Sequence, residues 1–363
     1  MKKRRGILFI GVVVLVVVLG AALLQTGIGS SQHVTRDIFA LDTYIRFDIY
    51  GTEAKQAADI AVEKVYEVEK LMNAYDPESN LSVLNRSAQT GQPVSVDSRL
   101  FAVISRAVDF SWVTAGLFDI TVKPVMDLWS FHTEPQVPKP EALSQALSHV
   151  GYKKIQLDSD RQTVTFLDKG CELDLGGIAK GYAADVISKE LLKLQIDRAV
   201  IDLGGNVVVL GENDASWQQK LLAFFTGRDT AESNWTIGIQ TPFAPSGQTC
   251  LLLKVDQTTC SVVTSGAYER NFEQEGVLYH HIINPKTGYP AQGEIDSVSV
   301  IGASSMEADA LSTSIYIMGI EEGIELARSF GYDVVIIDKN KKIHTTLSRD
   351  LVEIVDNAYT FFE

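Results

Sequence analysis

Apolar residues recur along the chain with two different periods. Residues 41–50 (LDTYIRFDIY) alternate between apolar and polar, which predicts a half-buried strand. In residues 53–72 the apolar positions Ile60, Val65, Val68 and Leu71 recur at helical spacing, which predicts a long amphipathic helix. The chain therefore contains both strands and helices.

The same patterns extend to residue 337. We predict strands at 152–157, 163–167, 198–210, 250–255, 261–264, 297–301 and 333–337, and helices at 141–150, 181–194, 306–318 and 321–330. The strands at 250–255 and 261–264 flank a short polar segment, which predicts a hairpin. Because strands and helices mix without a strict βαβ alternation, we predict an α+β fold rather than a doubly wound sheet.

A basic and apolar leader precedes these elements. Residues 7–24 form an uncharged apolar core of 18 residues behind four consecutive basic residues. As a helix this core would span roughly 27 Å, just enough for a bilayer. We divide the chain into residues 1–30, a signal anchor or a cleaved signal peptide, and residues 31–363, the functional domain. The length of the apolar core favours the anchor. The positive-inside rule then predicts a single-pass protein of the cell membrane with its domain on the extracytoplasmic side.

Charge excludes one class of partner. The chain has 32 basic and 46 acidic residues, a net charge of −14, and the four basic residues of the leader leave −18 for the remainder. Binding to nucleic acid needs clustered Lys and Arg, so we exclude nucleic acid as a partner. The 45% content of hydrophobic residues excludes a disordered chain.

Three cysteines are too few for a disulfide scaffold. In the predicted hairpin Cys250 and Cys260 are offset by about four residues, or roughly 13 Å of strand, which exceeds the reach of a disulfide. We therefore expect Cys171, Cys250 and Cys260 to be free and mostly buried.

Two segments contain residue types suited to phosphate and metal chemistry. In residues 172–182 (ELDLGGIAKGY) a strand runs into two glycines, a lysine and a helix, which is either a plain glycine turn or a phosphate contact. In residues 306–313 (MEADALST) Asp309 and Thr313 share one face of the predicted helix. This pair suits a hard cation such as Mg²⁺, although Asp309 would also favour the helix dipole without any metal.

Three further segments contain candidate binding residues. In residues 263–290, His280 and His281 are adjacent on a strand and point to opposite faces, so at most one of them serves a given site. Tyr75, in residues 72–85, could stack on a flat ring. Taken singly, residues 72–85 and 116–129 are more typical of loops and core-facing turns.

In this order, the segments resemble the ApbE family of FAD:protein FMN transferases. The resemblance begins at LDT (41–43) and covers nearly everything after the leader. It continues through MNAYDPESNLSVLN, GLFDITVKPVMDLW, DLGGIAKGYAAD, VIDLGGN, TSGAYER, HIINPKTGYP and EADALSTSIYIMG.

The resemblance implies both a fold and an activity. It implies a single catalytic domain with an FAD cleft between two subdomains. Members transfer the FMN moiety of FAD to a threonine hydroxyl of an acceptor flavoprotein, form a phosphoester, release AMP and need Mg²⁺. Some relatives instead hydrolyse FAD to FMN and AMP, so an FAD pyrophosphatase is the nearest alternative. A non-catalytic FAD-binding protein is the second alternative.

The resemblance also assigns roles by motif position. His281 matches the histidine implicated in catalysis, and Asp309 is a second candidate base. The implied metal ligands are the carbonyl of Gly177, the carboxylate of Asp309 and the hydroxyl of Thr313, with Ser312 adjacent. The implied FAD-binding residues are Leu41, Tyr75, Leu117, Phe118, Asp119, Asp174, Lys180 and Ile283.

Two positions depart from the family pattern. Asn284 stands where the family usually has Asp in its HIxDP turn, and Ala267 stands where it commonly has Asp in SGDYER. Neither is an implied metal ligand. If Ala267 replaces a carboxylate behind the ligands, metal affinity or acceptor specificity would differ.

Overall fold

The computed structural model describes residues 31–211, 235–245, 247–255 and 257–362. The predicted apolar segment at 7–24, and hence the division at residue 30, lies outside these ranges. Within them, no helix is both long and apolar enough to cross a bilayer.

Strands and helices are numbered here in chain order. The described residues form eight α-helices: α1 (Ala54–Met72), α2 (Asn80–Arg86), α3 (Ser98–Val113), α4 (Lys123–Trp129), α5 (Pro140–Leu147), α6 (Ala179–Leu191), α7 (Ser305–Met318) and α8 (Ile320–Phe330). The strands are β1 (Gln32–Ala40), β2 (Thr43–Gly51), β3 (Val94–Ser95), β4 (Ile155–Asp158), β5 (Thr163–Phe166), β6 (Ile196–Leu203), β7 (Asn206–Gly211), β8 (Trp235–Gln240), β9 (Thr249–Val255), β10 (Thr259–Gly266), β11 (Asn271–Gln274), β12 (Val277–His280), β13 (Ile295–Gly302), β14 (Asp333–Asp338), β15 (Lys342–Thr345), β16 (Val352–Ile354) and β17 (Thr360–Phe361).

A nine-stranded sheet organises the molecule. Its order is β1-β2-β6-β7-β10-β13-β14-β15-β17, and all its pairings are antiparallel except that of β15 with β17. Alternate residues of β2 (Ile45, Phe47 and Ile49) are fully buried in the main core cluster, together with apolar residues of α1, α6 and α7. The α+β prediction is confirmed.

The opposite face of the large sheet packs against a sheet of three strands, β16-β9-β8. Val209 and Val262 of the large sheet form a second buried cluster with Leu251 and Leu253 of β9. The hairpin predicted from residues 250–255 and 261–264 is therefore wrong. Both strands form, but β9 pairs with β8 and β16 whereas β10 pairs with β7 and β13. The apolar side chains of the two neighbouring strands meet between two sheets instead of within one.

Several strand boundaries also differ from prediction. The strand predicted at 152–157 begins at Ile155, because Tyr152–Lys154 form a 3-10 helix. The segment predicted as one strand at 198–210 is a hairpin of β6 and β7, because Gly204 and Gly205 adopt φ of 61° and 93° and reverse the chain. The strand predicted at 41–50 begins at Thr43. Leu41 and Asp42 instead form the two-residue turn from β1, which was not predicted.

The long periodic segments are confirmed. Helices α1, α5, α6, α7 and α8 lie where the helical spacing placed them, and β4 pairs with β5 in a small sheet that also contains β3. One cluster of buried side chains runs from this small sheet to the large one, including Val164, Phe166 and Val300. The division into two subdomains stays a prediction.

Candidate active site

A single cleft contains almost all of the predicted site residues. It has a volume of about 350 Å³ and opens where the β1–β2 turn, the end of α1, the first turn of α6 and one face of α7 meet. Small-molecule sites are commonly of roughly 300–1,000 Å³. Twelve of the thirteen predicted residues line it: Leu41, Tyr75, Leu117, Phe118, Asp119, Asp174, Gly177, Lys180, His281, Ile283, Asp309 and Thr313.

Asp309 lies at the bottom of the cleft. Its side chain is only 3% exposed, its Oδ2 accepts a hydrogen bond from the backbone N–H of Gly181 at 3.0 Å, and its Oδ1 is 3.5 Å from Lys180 Nζ. The N-terminus of α7 is itself held by Asp185 of α6, which accepts hydrogen bonds from Ser304 Oγ and Ser305 N. Helix α6 therefore positions α7, and α7 carries Asp309.

Oxygen atoms collect beside Asp309. Thr313 lies one turn further along α7 and its hydroxyl makes no hydrogen bond to any described residue, so it is available to a ligand. Gly177 lies next to it, since a Cβ on Gly177 would be 3.7 Å from Thr313 Oγ1 and 3.2 Å from the Phe118 ring. Ser312 is different. It is fully buried, and its hydroxyl bonds to Ser265 Oγ at 2.8 Å and to the Asp309 carbonyl at 2.9 Å.

The glycine turn before α6 is held by Asp174. Its Oδ1 accepts a hydrogen bond from Gly176 N at 2.7 Å, and its Oδ2 accepts one from the Tyr75 hydroxyl at 3.0 Å. Lys180 Nζ lies 3.4 Å from the Gly176 carbonyl. Asp174 thus joins the glycine turn to the aromatic wall of the cleft.

Tyr75 supplies that wall. The residue is 41% exposed, even though His132 contacts its ring at a centroid distance of 4.3 Å and Lys123 Nζ lies 4.8 Å from the ring centre. Desolvation, followed by the negative charge of Asp174, raises the pKa of Tyr75 well above its usual range. The phenol therefore remains a hydrogen-bond donor at all physiological pH values.

Leu117, Phe118 and Asp119 follow the end of α3. The hydroxyl of Thr114 accepts a hydrogen bond from Phe118 N at 3.0 Å, which directs this segment along the cleft. Burial raises the pKa of Asp119, while hydrogen bonds from Thr121 oppose the shift. Both oxygens of Asp119 bond within the protein, to Thr121 and to Tyr152 N, so this carboxylate braces the cleft wall.

The two adjacent histidines diverge, as predicted. His281 lines the cleft, whereas His280 is buried and its Nε2 contacts the Ala291 carbonyl at 3.1 Å. Burial lowers the pKa of His281 to about 3, and the positive charge of Arg270 adds to this effect. His281 Nδ1 is 3.3 Å from the Arg270 carbonyl. A carbonyl only accepts, so Nδ1 carries the proton in this contact, and Nε2, which bonds to none of the described residues, can accept one.

Sequence reasoning missed several residues of the cleft. Three of them, Asp42, His132 and Arg270, form a cluster beside the Tyr75 wall, which we call the lip. Asp42 and Arg270 stand within the LDT and TSGAYER motifs, so the motifs contained a signal that was not used. His132 stands outside all the motifs, and its neighbours in the chain give no signal of its position.

The lining of the cleft is acidic. It contains five carboxylates (Asp42, Asp119, Asp174, Glu269 and Asp309) against two permanent cations, Lys180 and Arg270. No group of three or more His, Cys, Asp or Glu side chains with metal-binding geometry occurs among the described residues. A polyanion entering this cleft needs additional positive charge.

The two departures from the family pattern have local explanations. Asn284 accepts a hydrogen bond from Lys286 N through Oδ1 at 2.9 Å, so it forms the turn as an aspartate would. Ala267 is buried in the main core cluster, and its carbonyl accepts a hydrogen bond from Asn271 Nδ2 at 3.0 Å.

The chain is similar in sequence to known proteins of one family. The model of the ApbE family matches residues 41–336. An FAD:protein FMN transferase of Treponema pallidum is 34% identical over 90% of this chain and 91% of its own length, and one of Klebsiella pneumoniae is 34% identical over 76% and 80%.

Solved structures show the same similarity. The ApbE protein of Thermotoga maritima has a TM-score of 0.74 at 28% identity, covering 88% of this chain and 98% of its own. The flavin transferase ApbE of Vibrio cholerae has a TM-score of 0.73 at 25% identity, covering 88% and 99%. The family model covers well over half of the chain, and the relatives cover most of it, so this chain belongs to the ApbE family.

Proposed function

We propose that this protein is an FAD:protein FMN transferase that moves the FMN moiety of FAD to a threonine hydroxyl of an acceptor flavoprotein and releases AMP. The observation that carries the proposal is that one cleft combines an exposed aromatic wall, Tyr75, with a phosphate-type glycine turn, Lys180 and a buried carboxylate, Asp309. The curated relatives named above have this activity by name, which supports the same reaction here.

The reaction balances without an oxidant or reductant. The threonine oxygen forms a bond to the phosphorus on the riboflavin side of FAD. The bond from that phosphorus to the bridging oxygen breaks, and AMP leaves with the bridging oxygen. The hydroxyl proton passes to a base of the protein.

His281 is our candidate for that base. It is neutral in the free protein because burial lowers its pKa, and its Nε2 is the free nitrogen. The negative pyrophosphate of FAD would raise the pKa of His281 and make it a better proton acceptor in the complex. Asp309 is the second candidate, although its Oδ2 is already bonded to Gly181 N.

The residues beside Asp309 fit a magnesium ion. Mg²⁺ takes oxygen ligands and is commonly held by one or two carboxylates together with substrate phosphates. We propose that the Asp309 carboxylate, the unpartnered Thr313 hydroxyl and the Gly177 carbonyl hold it, and that Ser312 acts by orienting this group. When bound, Mg²⁺ would neutralise pyrophosphate charge and stabilise the charge that develops on the leaving phosphate. Because carboxylates outnumber permanent cations in the cleft, the pyrophosphate would need the added positive charge of such an ion.

We also propose that the protein is held at the cell membrane by residues 7–24, with the catalytic domain outside the cytoplasm. This rests on the 18 uncharged apolar residues and the basic residues before them. Membrane fractionation and protease accessibility of the full chain in intact cells would test it.

The activity is tested by flavin transfer. The full chain is incubated with FAD, Mg²⁺ and candidate acceptor flavoproteins, and the acceptors are examined by mass spectrometry after denaturation. We expect one acceptor threonine to gain the mass of FMN, with one AMP released for each FMN transferred. Asp309→Ala should abolish both, while Glu321→Ala, an exposed acid in the first turn of α8, should abolish neither.

Two other outcomes would contradict the proposal. Free FMN and AMP without any labelled acceptor would identify an FAD pyrophosphatase. Binding of FAD without release of AMP would identify a non-catalytic flavin-binding protein.

A further inference from the structure

The lip of the cleft is built around Asp42. Its Oδ2 lies 2.8 Å from Arg270 Nη1 and 2.6 Å from His132 Nδ1, and its backbone carbonyl accepts a hydrogen bond from Arg270 Nη2 at 2.7 Å. Arg270 therefore binds both the side chain and the backbone of one residue. Asp42, His132 and Arg270 come from three segments of the chain that are distant in sequence.

Each partner of Asp42 reaches another part of the cleft. The ring of His132 contacts Tyr75 at 4.3 Å between centroids. The carbonyl of Arg270 accepts a hydrogen bond from His281 N at 3.0 Å and faces His281 Nδ1. Asp42 is thus linked through one residue to the aromatic wall and through another to the candidate base.

The backbone of the β1–β2 turn is left-handed at both of its residues. Leu41 and Asp42 adopt φ of 50° and 57°, the left-handed conformation in which glycine is least strained. Two-residue hairpin turns of this kind favour glycine, often at the second position. The neighbouring Leu41 N donates to Glu69 Oε1 at 2.9 Å, which helps hold the turn in place. Aspartate tolerates this conformation better than most residues other than glycine, and at this position its side chain also contacts Arg270 and His132.

We propose that Asp42 is a positioning residue for flavin binding, which orients Arg270 and His132 so that the lip shapes the flavin end of the cleft. This inference rests on the proposed function, because it assumes that the flavin binds against Tyr75. The role is one of orientation: Asp42 fixes two side chains and does not itself react.

The backbone strain allows a sharp test. Asp42→Gly removes the ion pairs and relieves the turn, so the melting temperature should stay close to that of the parent chain while the lip is released. We expect the Kd for FAD, measured by calorimetry with Mg²⁺ present, to rise about tenfold, which corresponds to about 1.4 kcal/mol. Asp42→Asn, which tolerates the same backbone conformation and still accepts hydrogen bonds, should recover part of the affinity.

A matched control exists in the β11–β12 hairpin. Glu275 also has a positive φ, 54°, in a two-residue turn, and its side chain is exposed away from the cleft. Glu275→Gly should leave the Kd for FAD unchanged. Arg270→Met, which keeps an unbranched apolar stem and removes the charged guanidinium, should weaken FAD binding as Asp42→Gly does, and it provides the test if the glycine variant does not fold.

The outcomes separate the two proposals. If the parent chain binds FAD and both Asp42→Gly and Arg270→Met bind it within twofold of the parent, the positioning role is wrong and the proposed function is unaffected. If the parent chain itself does not bind FAD, the proposed function fails, and the positioning role fails with it.

Discussion

The backbone N–H of Gly181 donates a hydrogen bond to Oδ2 of Asp309 at 3.0 Å. Gly181 is the third residue of α6, so its N–H has no partner within the helix and is free for this contact. The positive end of the α6 dipole also favours the negative charge of Asp309. One helix terminus therefore holds the carboxylate on which our proposed metal site depends.

This contact requires glycine at position 181. A Cβ there would lie 2.2 Å from the Ser305 carbonyl oxygen and 2.6 Å from Met306 Cα, both of which are backbone atoms that cannot rotate away. We expect Gly181→Ala to separate α6 from α7, to lower the free energy of unfolding by about 1–3 kcal/mol and to reduce FMN transfer. Gly293→Ala is the control, because no atom of the described residues lies within 4 Å of its Cβ position. Urea unfolding and AMP release measure the two effects, and unchanged values for Gly181→Ala would contradict this account of the helix contact.

The two hydroxyls of α7 should differ in their effect on metal dependence. The Thr313 hydroxyl has no partner among the described residues, whereas that of Ser312 is bonded to Ser265 and to the Asp309 carbonyl. We expect Thr313→Val to raise the Mg²⁺ concentration for half-maximal AMP release about tenfold, and Ser312→Ala to raise it much less. A titration of both variants at saturating FAD measures this. If Ser312→Ala raised this Mg²⁺ concentration more than Thr313→Val, the hydroxyl ligand would be Ser312 and not Thr313.

Most of the long elements were predictable because their signals are local, although helix α3 (Ser98–Val113) and strand β1 (Gln32–Ala40) were not predicted. The helices α1, α6, α7 and α8 have either clear apolar spacing or sharp ends, and each was placed within about three residues. Strand pairing is not local. The sequence of residues 250–264 does not indicate that β9 and β10 belong to two different sheets whose apolar faces pack together. A hairpin was therefore the simpler prediction.

The residues of the candidate site also fall into two groups, those that the sequence predicted and those that it did not. Residues within recurrent motifs, such as Asp174 and Asp309, were assigned through the resemblance, and the structure brings them into one cleft. The lip was missed because it depends on contacts between segments far apart in the chain. His132 and Asp42 are 90 residues apart, and Arg270 is 228 residues from Asp42. Only the fold shows that these three side chains meet.

His280 should make stability depend on pH. Burial lowers its pKa to about 4, against about 6.5 in the unfolded chain, so the unfolded state binds a proton that the folded state does not. Its contribution to stability is therefore present above pH 6.5 and is lost as the pH falls from 6.5 towards 4. Between pH 7.5 and pH 5.0 this loss amounts to about 2 kcal/mol.

A neutral replacement isolates this effect from the other titrating groups. We expect His280→Gln to be less stable than the parent chain at pH 7.5, and the difference between the two to shrink by about 2 kcal/mol at pH 5.0. Urea unfolding of both proteins at both pH values gives the comparison. If the difference in stability between the two proteins is the same at both pH values, His280 takes up a proton at pH 5.0 in the folded protein as it does in the unfolded chain.

Tyr75 should contribute to FAD binding mainly through its ring. Tyr75→Phe keeps the ring and removes the hydrogen bond to Asp174, whereas Tyr75→Ala removes both. Stacking of an aromatic side chain on a heteroaromatic ring contributes roughly 1–3 kcal/mol, so we expect Tyr75→Ala to raise the Kd for FAD at least about tenfold. Tyr75→Phe should change it by less than about threefold, because the lost hydrogen bond lies within the protein.

Tyr66→Ala is the control, since Tyr66 is an exposed tyrosine of α1 that does not line the cleft. Calorimetry of the parent chain and the three variants measures these Kd values. If Tyr75→Phe and Tyr75→Ala raise the Kd for FAD equally, the effect belongs to the hydrogen bond with Asp174. If Tyr75→Ala leaves the Kd unchanged, Tyr75 is not part of the flavin site.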